Sequence, residues 1–266
     1  MPGIESVLLV ENENAVRTLR LNRPDVLNAF NDDLLAALVK ETKAAVRDDS
    51  VRCLVIAAAG RAFCSGQDLD TVKARMADPL APELGQHLRN LYNPLIATIR
   101  TMEKPVIAAV NGVAAGAGCS LALACDLRVA AASASFIEVF INVGLVPDSG
   151  STFTLPRLVG MGRAMEMVFT GRKVDADEAL RIGLVNQVVP DDDLPAATIK
   201  LATKLASLPT RGIGLTKRAF NRSWTVDLDD QLEYEACLQT TAGKTADHAE
   251  GVRAFLEKRK PQFTGR

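Results

Sequence analysis

The sequence has no excess of charge of either sign and few aromatic residues. Its 266 residues include 31 Lys and Arg against 32 Asp and Glu, a formal net charge of −1 at pH 7. This balance does not provide the basic field that nucleic acids and anionic membrane surfaces attract. No apolar run reaches the roughly 18 residues of a membrane span, and no basic-then-apolar leader pattern is present. We therefore expect a cytoplasmic protein that binds neither nucleic acid nor membrane.

Histidine and paired cysteine are also scarce, which bears on metal and disulfide chemistry. The two histidines, His87 and His248, lie far apart in the sequence, and there is no CxxC pair. Both facts disfavour a metal site. The cysteines are odd in number, and all except Cys237 lie in or beside apolar runs, so we expect reduced core residues and no disulfide framework. They are Cys53, Cys64, Cys119, Cys125 and Cys237.

The sequence is rich in apolar residues, and these fall in strand-like and helical patterns that alternate along the chain. Hydrophobic residues make up 48% of the chain, enough for the core of one large domain. Up to about residue 195, strand-like runs alternate with helical patterns, which predicts an α/β fold with buried parallel strands. Residues 196–266 show only helical patterns, near 194–207, 214–240 and 247–258. We predict a core over residues 1–195 and an all-helical C-terminal region over 196–266; periodicity alone leaves a doubly wound sheet open.

Residues 104–126 organise this predicted core. Residues 106–110 are apolar and end at an Asn-Gly turn signal, a pattern typical of a buried strand. Gly116, Ala117 and Gly118 then lead into a helix that is apolar on all sides. The first N–H groups of a helix have no intrahelical partner, and here no large side chain keeps a ligand away from them. The pattern predicts a binding site built from backbone groups.

The same order of strand, small-residue turn and helix occurs once before. A buried strand predicted over residues 51–59 precedes the turn of Ser65 and Gly66. Residues 69–83 are weakly patterned, and we interpret them as a mobile loop over the site. The turn at residues 116–118 lacks the third glycine of a dinucleotide fingerprint and the Gly-Lys-Ser/Thr of a phosphate-binding loop, which disfavours nucleotide binding.

Two segments together resemble the enoyl-CoA hydratase/isomerase (crotonase) superfamily, AFCSGQDL at residues 62–69 and VNGVAAGAGCSLALACD at residues 110–126. The resemblance extends over essentially the whole chain. It implies a spiral of ββα units with a helical C-terminal region, assembled as a homotrimer or a dimer of trimers, that binds acyl-CoA thioesters. No separate cofactor is implied, because coenzyme A is part of the substrate. Supporting matches are LNRPDVLNAF, LPRLVGMGRAMEMVFTG and EGVRAFLEKRKPQF.

The resemblance also implies how the thioester is held. In the superfamily, one backbone N–H from each glycine turn donates to the thioester oxygen; the matching donors here are Gln67 and Ala117. Preorganised donors of this kind stabilise the negative charge of an enolate, and losing one typically costs roughly 10²–10³ in rate. The alternative is that both turns merely pack tightly. The other residues matched to substrate binding are Ala62, Ser65, Gly66, Asp68, Leu69, Gly116, Gly118, Ser120 and Phe140.

Two positions depart from the hydratases of the superfamily. Those enzymes use a pair of glutamates to add water, where this chain has Ser120 and Phe140. Neither side chain can do general acid–base work near neutral pH. Glu138 lies two residues from the second position, and we expect its side chain to point elsewhere. Hydration is therefore disfavoured.

One acid remains in a suggestive place. Asp148 matches the position where some members of the superfamily place their working carboxylate, including the ring-1,2-epoxyphenylacetyl-CoA isomerases of phenylacetate degradation, which this chain resembles most. The alternative is structural, because Pro-Asp-Ser-Gly is a common turn and Asp is a favoured helix N-cap. An aryl-CoA dehalogenase is set aside, since Phe140 and Asn93 stand where it needs tryptophan and histidine.

The last sixteen residues contain five basic side chains against one acid, and Lys258 and Lys260 are candidates for the CoA phosphates. An equal alternative is that these basic residues lie in solvent at the C-terminal end of a helix, where they interact favourably with the helix dipole. Val26 stands where relatives often have a lysine facing CoA, so part of this anchoring is missing.

Three functions follow from these observations. The first is an acyl-CoA isomerase that works through an enolate, with Asp148 as the proton shuttle. The second is a general Δ3-Δ2-enoyl-CoA isomerase or an enoyl-CoA hydratase of fatty-acid metabolism. The third is an acyl-CoA-binding relative without chemistry. The acyl group stays open, because residues 69–91 form that pocket in the superfamily and are a variable region of it.

Overall fold

The computed structural model describes residues 6–78 and 83–266. Its strands lie in two sheets. They are Leu8–Glu13 (β1), Val16–Leu21 (β2), Cys53–Ala58 (β3), Ala62–Cys64 (β4), Val106–Val110 (β5), Val113–Ala115 (β6), Leu127–Ala131 (β7), Ser135–Ile137 (β8), Val174–Asp175 (β9) and Gln187–Val189 (β10).

One helical segment contains a π-helical turn between two α-helical parts. Residues 84–101 begin as a short α-helix, pass through a π-helical turn at Leu88–Tyr92, and continue as an α-helix at Asn93–Thr101. The α-helices are Asp32–Arg47 (α1), Leu69–Ala77 (α2), Leu84–His87 (α3), Asn93–Thr101 (α4), Ala117–Ala124 (α5), Ser151–Val159 (α6), Met161–Thr170 (α7), Ala176–Arg181 (α8), Leu194–Ala206 (α9), Thr210–Ser223 (α10), Leu228–Gly243 (α11) and Ala246–Leu256 (α12).

A six-stranded sheet with the order β1-β2-β3-β5-β7-β10 forms the centre of the molecule. β1 and β2 are antiparallel, and the pairs from β2 to β10 are parallel. Every residue of β3 and β5 is buried, as expected for parallel strands covered on both faces. Burying one Val, Leu or Ile side chain contributes about 1.5–3 kcal/mol to folding, so these strands anchor the core.

The second sheet has the order β4-β6-β8-β9. Three of its strands each come directly after a strand of the central sheet along the chain. β3 is followed by β4, β5 by β6 and β7 by β8, and each pair leads into a helix. This repetition is the predicted spiral of ββα units, and it excludes the doubly wound sheet that periodicity had left open.

Local sequence signals account for several helix boundaries. Asn31 caps α1 as predicted, because its side chain accepts from the Leu34 N–H. Residues 69–77, which we had expected to be part of a mobile loop, form the helix α2. Residues 79–82, which belong to the same expected loop, lie outside the described residues.

The C-terminal region is all helical, with one difference from the prediction. The single helix expected over residues 214–240 is two helices, since α10 ends at Ser223 and Asp227 caps a new helix by accepting from the Asp230 N–H. The helix α9 packs on β3, β5 and β7, and its Leu194, Ala202 and Ala206 belong to the main core. The hydrophobic core therefore includes these residues of α9, and the boundary near residue 195 stays a prediction.

Buried polar contacts connect the rest of the C-terminal region, from α10 onward, to this core. The Lys217 ammonium of α10 is 8% exposed and donates to the Asp126 carboxylate at 2.7 Å and to the Ile99 carbonyl at 2.8 Å. Arg52 donates to the Phe263 carbonyl at 2.9 Å. Because buried charges need partners, these contacts fix where the C-terminal helices lie.

Two further properties concern membranes and metals. Residues 6–78 and 83–266 contain no helix with the length and apolarity that crossing a bilayer requires. The same residues contain no cluster of three or more His, Cys, Asp or Glu side chains suited to a metal ion.

Candidate active site

The two glycine turns meet at one place in the structure. The first follows β4, and the second joins β6 to α5. A Cβ atom added to Gly118 would lie 2.3 Å from the Cys64 carbonyl oxygen, and one added to Gly66 would lie 3.1 Å from the Ala115 carbonyl oxygen. Gly66 also has φ +100°, which an L-residue rarely adopts. The turns therefore pack backbone against backbone, as only glycine permits.

Two backbone N–H groups are left without acceptors where these turns meet. Phe30 holds the first turn on both sides of Gln67, because its N–H donates to the Gly66 carbonyl at 2.7 Å and its carbonyl accepts from the Asp68 N–H at 2.9 Å. Ala117 is the first residue of α5, so its N–H has no intrahelical partner. Within the described residues, neither the Gln67 N–H nor the Ala117 N–H donates to a protein acceptor.

The two N–H groups are also close together. A Cβ atom on Gly66 would lie 3.9 Å from the Ala117 nitrogen, and Gln67 follows Gly66 directly. The start of α5 adds the positive end of its dipole. The structure thus brings together the two N–H groups that the resemblance pairs as donors. Both could donate to one electronegative atom of a ligand.

The Gln67 side chain belongs to a network that sequence analysis missed. Its Oε1 accepts a hydrogen bond from the Tyr92 hydroxyl, and its Nε2 is buried without an acceptor among the described residues. The Tyr92 ring meets those of Phe30 and His87 edge-on, with centroids 5.9 and 5.6 Å away. No sequence signal near Gln67 indicates Tyr92, because the π-helical turn at 88–92 sets its direction.

Asp68 has a partner within the protein. Its carboxylate forms an ion pair with Arg23 at 2.8 Å and accepts from the Asp70 N–H at 2.9 Å, at the start of α2. The hydrogen bond from Arg23 lowers the pKa of Asp68. The side chain therefore holds the first turn against residues 23–30, and its contact with the substrate stays a prediction.

Phe140 and Ser120 flank the start of α5. A Cβ atom on Gly116 would lie 3.9 Å from Phe140 Cζ, and Phe140 is 7% exposed. Ser120 is fully buried, and its hydroxyl donates to the Gly116 carbonyl at 3.2 Å. That hydroxyl is turned into the helix, and a contact of Ser120 with the substrate stays a prediction. Gly118 is likewise buried against Cys64.

Asp148 lies before α6, half-buried. The cap of α6 is Gly150, and Asp148 does not cap it through its side chain, so the N-cap alternative is wrong. The Ser149 hydroxyl donates to Asp148 Oδ1 at 2.9 Å, and Ser149 has φ +52°, a strained conformation that clusters at functional sites. Burial raises the pKa of Asp148, while the Ser149 hydrogen bond opposes the rise. Such a carboxylate is a stronger base than an exposed aspartate.

Glu138 is the titratable residue that sequence analysis discounted. It is fully buried, and burial raises its pKa to about 7. The Ser151 hydroxyl and the Cys119 thiol lie near enough to lower that pKa, but neither makes a hydrogen bond of ordinary geometry, so both carboxyl oxygens lack a partner. Asp148 raises the pKa of Glu138 further through charge repulsion. Glu138 is thus a second buried acid, and its pKa responds to the charge of Asp148.

The remaining predicted residues lie partly at the edges of these turns and partly in the C-terminal segment. Ala62 is buried, and its carbonyl accepts from Asn28 Nδ2 at 2.8 Å. Ser65 is half-buried and Leu69 is 71% exposed. Lys258 and Lys260 are exposed beyond α12, on either side of an arginine that pairs with Glu250 and Glu257.

A cavity of about 1390 Å³ lies elsewhere, between the core and the helices α10 and α11. Arg100, Arg157 and Trp224 are among its lining residues. Gln67, Ala117 and Asp148 do not line it. The chemistry of the glycine turns therefore gives a stronger indication of the site than cavity size does.

Comparison with known proteins agrees with this geometry. The family model described as enoyl-CoA hydratase/isomerase matches residues 11–266. The chain is 48% identical to the 1,2-epoxyphenylacetyl-CoA isomerase of Escherichia coli, over 97% of this chain and 98% of that protein. It is 39% identical to the 2,3-dehydroadipyl-CoA hydratase of the same bacterium, over 98% of this chain and 100% of that protein.

Solved structures agree as well. The enoyl-CoA hydratase of Mycobacterium smegmatis superposes with a TM-score of 0.89 and 37% identity, over 97% of this chain and 99% of the other. The enoyl-CoA hydratase of Bacillus anthracis gives a TM-score of 0.91 at 34% identity, over 98% of this chain and 100% of the other. With its ββα spiral, its facing glycine turns and these similarities along nearly its whole length, the chain is an enzyme of the enoyl-CoA hydratase/isomerase family.

Proposed function

We propose that this enzyme is an acyl-CoA isomerase that works through a thioester enolate, of the 2-(1,2-epoxy-1,2-dihydrophenyl)acetyl-CoA isomerase type. The observation that carries the proposal is the combination of two unpartnered N–H groups, on Gln67 and Ala117, with one partly buried carboxylate, Asp148. The 48% identity to 1,2-epoxyphenylacetyl-CoA isomerase supports the substrate class.

In the proposed mechanism, the Gln67 and Ala117 N–H groups donate to the thioester oxygen. Asp148 takes an α-proton of the thioester, or a γ-proton of a 2-enoyl thioester. The C–H electron pair moves toward the carbonyl, giving an enolate or dienolate whose charge rests on that oxygen. Donors already in place stabilise this charge without reorganising. Asp148 then returns the same proton to another carbon, so the double bond migrates and nothing is consumed. On an aryl epoxide thioester, the enolate-like state would accompany opening of the epoxide.

Hydration is disfavoured by the residues at the two positions where hydratases of the superfamily carry glutamates. Addition of water needs a positioned water and normally two acid–base groups. Ser120 is fully buried with its hydroxyl bonded to the Gly116 carbonyl, and Phe140 is a hydrocarbon ring. Asp148 alone is sufficient for isomerisation, because one carboxylate can be base in the first step and acid in the second.

A general Δ3-Δ2-enoyl-CoA isomerase or enoyl-CoA hydratase of fatty-acid metabolism is the second candidate. It is supported by relatives such as the 2,3-dehydroadipyl-CoA hydratase of Escherichia coli at 39% identity. A panel of 3-enoyl-CoA, crotonyl-CoA and aryl-epoxide thioesters distinguishes the candidates: turnover of the aryl epoxide supports the first, and efficient hydration of crotonyl-CoA supports the second. Binding of all three with turnover of none would support the non-catalytic relative.

Substituting Asp148 by Asn tests the mechanism. Asn keeps the shape of the side chain and an oxygen that can accept from Ser149, yet cannot carry the proton. We expect the folded variant to bind acyl-CoA and to lose isomerisation by roughly 10²–10⁴, the usual contribution of general acid–base catalysis. Asp33→Asn, on an exposed position of α1, is the matched control and should keep full activity. Turnover of D148N within about tenfold of the parent would contradict the mechanism.

The CoA contact and the assembly are further parts of the proposal. Lys258 and Lys260 are exposed and would bind CoA phosphates, and no cofactor beyond the CoA of the substrate is needed. Residues 196–266 would hold a homotrimer or a dimer of trimers. Their exposed apolar side chains support this, since a face of that kind marks an interaction surface; they include Phe220, Leu228, Leu232, Phe255 and Leu256. We expect the enzyme to act in the cytoplasm.

A further inference from the structure

The large cavity between the core and the helices α10 and α11 has an excess of positive charge in its walls. Among the described residues, four cationic side chains line it against two acidic ones. They are Arg100, Arg128, Arg157 and Lys217 against Asp126 and Glu235. Asp126 is already in use, because its carboxylate accepts from the Lys217 ammonium at 2.7 Å and lies 3.7 Å from the Arg100 guanidinium. The protein itself therefore leaves part of this positive charge without a counter-ion.

Arg128 is the most deeply buried of these cations, at 2% exposure. Its guanidinium donates to two backbone carbonyls, from Nε to Leu184 at 2.6 Å and from Nη1 to Cys125 at 2.7 Å. No carboxylate in the described part of the chain forms an ion pair with it. A buried charge without a counter-ion is costly, and an anion bound in the cavity would reduce that cost.

Arg100 and Arg157 lie against an aromatic side chain in the wall of the same cavity. Their guanidinium carbons are 5.4 and 4.8 Å from the centroid of the Trp224 ring. Arg157 also lies over the Phe153 ring and donates to the Phe153 carbonyl at 2.7 Å. Within residues 6–78 and 83–266, no acid forms an ion pair with Arg157. A guanidinium held in this way is well suited to a planar carboxylate, which it can bind through two parallel hydrogen bonds.

Gln231 contributes an unused polar atom to the lining. The side chain is 8% exposed, and its Nε2 donates to the Ala219 carbonyl at 3.2 Å. Its Oε1 is buried and has no hydrogen-bond partner among the described residues. A buried acceptor without a partner requires an explanation. A hydroxyl group or a water molecule that enters with a ligand would provide the missing donor.

Most of the remaining lining is apolar. It includes Leu123, Leu158, Leu205, Leu215 and Phe220. Binding sites for small molecules combine walls of this kind with a few polar groups that fix the orientation of the ligand. The cavity volume of about 1390 Å³ provides ample space for such a ligand.

We propose that this cavity is a second ligand site, separate from the glycine turns, and that it binds a monocarboxylic acid with an apolar body. The carboxylate pairs with the guanidinium groups of Arg157 and Arg100, and the apolar body packs on the leucine side chains. The buried charge of Arg128 favours an anion in this place. Alkyl and aryl acids share this chemistry. The site does not depend on the proposed isomerase function.

A second copy of the chain is the competing occupant. Phe220 and Leu232, which belong to the proposed assembly surface, also line the cavity. An apolar face of a second copy would cover them, but it would leave Arg128 without a counter-ion and Gln231 Oε1 without a donor. Both omissions are unfavourable, so the charge of the cavity favours a carboxylate ligand.

Trp224 provides a direct test, because it is the one tryptophan of the chain and its fluorescence therefore reports on this cavity. The parent enzyme is titrated with octanoate and with phenylacetate at constant ionic strength, and calorimetry gives the stoichiometry. We expect saturable binding of one acid per chain with a Kd on the order of 0.1–1 mM, as for other ligands of roughly ten heavy atoms. Octanamide and phenylacetamide, which lack the charge, should bind at least about tenfold more weakly. The acid with the lower Kd identifies the alkyl or the aryl body.

Arg157→Met removes the charge and keeps an apolar side chain of similar length, and it should weaken binding of the acid at least about tenfold. Arg163→Met is the matched control and should keep the affinity of the parent. Arg163 is an exposed arginine that donates to a carbonyl four residues earlier, as Arg157 does, and it does not line the cavity. Circular dichroism checks the fold of both variants. The amide ligands test the need for charge in the parent itself, so the proposal stays testable if Arg157→Met does not fold.

Four results would overturn the proposal. They are no saturable binding up to about 10 mM, equal binding of acid and amide, unchanged affinity in folded R157M, and displacement of the acid by coenzyme A, which would place the acid at the glycine turns. A Trp224 emission that changes on dilution of the protein and does not respond to the acids would show that a second copy fills the cavity. Since no turnover is measured, none of these results bears on the isomerase function, which D148N tests.

Discussion

At the scale of single residues, the site depends on backbone groups more than on side chains. The Gln67 and Ala117 N–H groups are donors whatever side chain follows them, provided that the turn keeps its shape. The Gln67 side chain has a separate contact, because it accepts from the Tyr92 hydroxyl. The two roles of Gln67 can therefore be separated by substitution.

Gln67→Ala should retain most of the activity, within about tenfold, because the N–H survives and only the contact with Tyr92 is lost. Ala117→Pro removes one donor and should reduce the rate by roughly 10²–10³ or more. Proline is compatible with the first position of a helix, so α5 need not unfold; circular dichroism checks that it has not. A well-folded Gln67→Ala enzyme as inactive as Ala117→Pro would show that the side chain is the working part.

At the scale of elements, the site exists because two strand–turn–helix segments are pressed together. Gly118 of α5 lies against the Cys64 carbonyl at the end of β4, with no space for a methyl group. The N–H groups of Gln67 and Ala117 can hold one oxygen only if these segments keep that spacing. The packing of β4 against α5 is thus a requirement of the chemistry as well as of stability.

Gly118→Ala should destabilise the protein by about 1–3 kcal/mol through overpacking and should lower turnover by more than that loss explains, because the turns must separate. Gly162→Ala in α7 is the matched control, since its added methyl group meets nothing within 4 Å. A helical alanine there should be neutral or stabilising by up to about 1 kcal/mol. Urea unfolding and turnover of both variants provide the comparison; full activity in Gly118→Ala would contradict the required spacing.

At the scale of the whole molecule, the C-terminal helices are joined to the core by buried polar contacts and expose apolar faces. Lys217 and Arg52 make the joining contacts, and α9 belongs to the core itself. A deletion that tests assembly must therefore spare α9. Phe255 and Leu256, 83% and 74% exposed on α12, are the residues most open to a partner.

Deleting residues 209–266 should give an insoluble or monomeric, inactive protein, because it removes the proposed interface and uncovers the core around Asp126. Phe255→Ser is the milder companion variant and should weaken assembly without unfolding the chain. Light scattering and ultracentrifugation measure both. A deletion product that stays soluble, trimeric and active would contradict the assigned role of these helices.

Much of this architecture was predictable from local sequence. The buried strand at 106–110, the cap at Asn31 and the all-helical C-terminal region follow from patterns within a few residues of one another. The ββα spiral came from the resemblance carried by the motifs at residues 62–69 and 110–126. The pairing of Gln67 with Ala117 came from the same motifs, and the contact of Gly118 with Cys64 agrees with it.

The features that were missed depend on contacts between distant segments. The helix at 69–77 has weak periodicity, and the position of Tyr92 beside Gln67 depends on a π-helical turn. Asp68 lies in a motif, but its ion pair with Arg23 is visible only in three dimensions. Glu138 was discounted from its place in the sequence. The sequence by itself determined which groups could do the chemistry, because residue type and turn geometry are local properties. Only the tertiary structure decided which acid is buried and what it faces, because burial and repulsion arise when α5, α6 and the end of β8 come together.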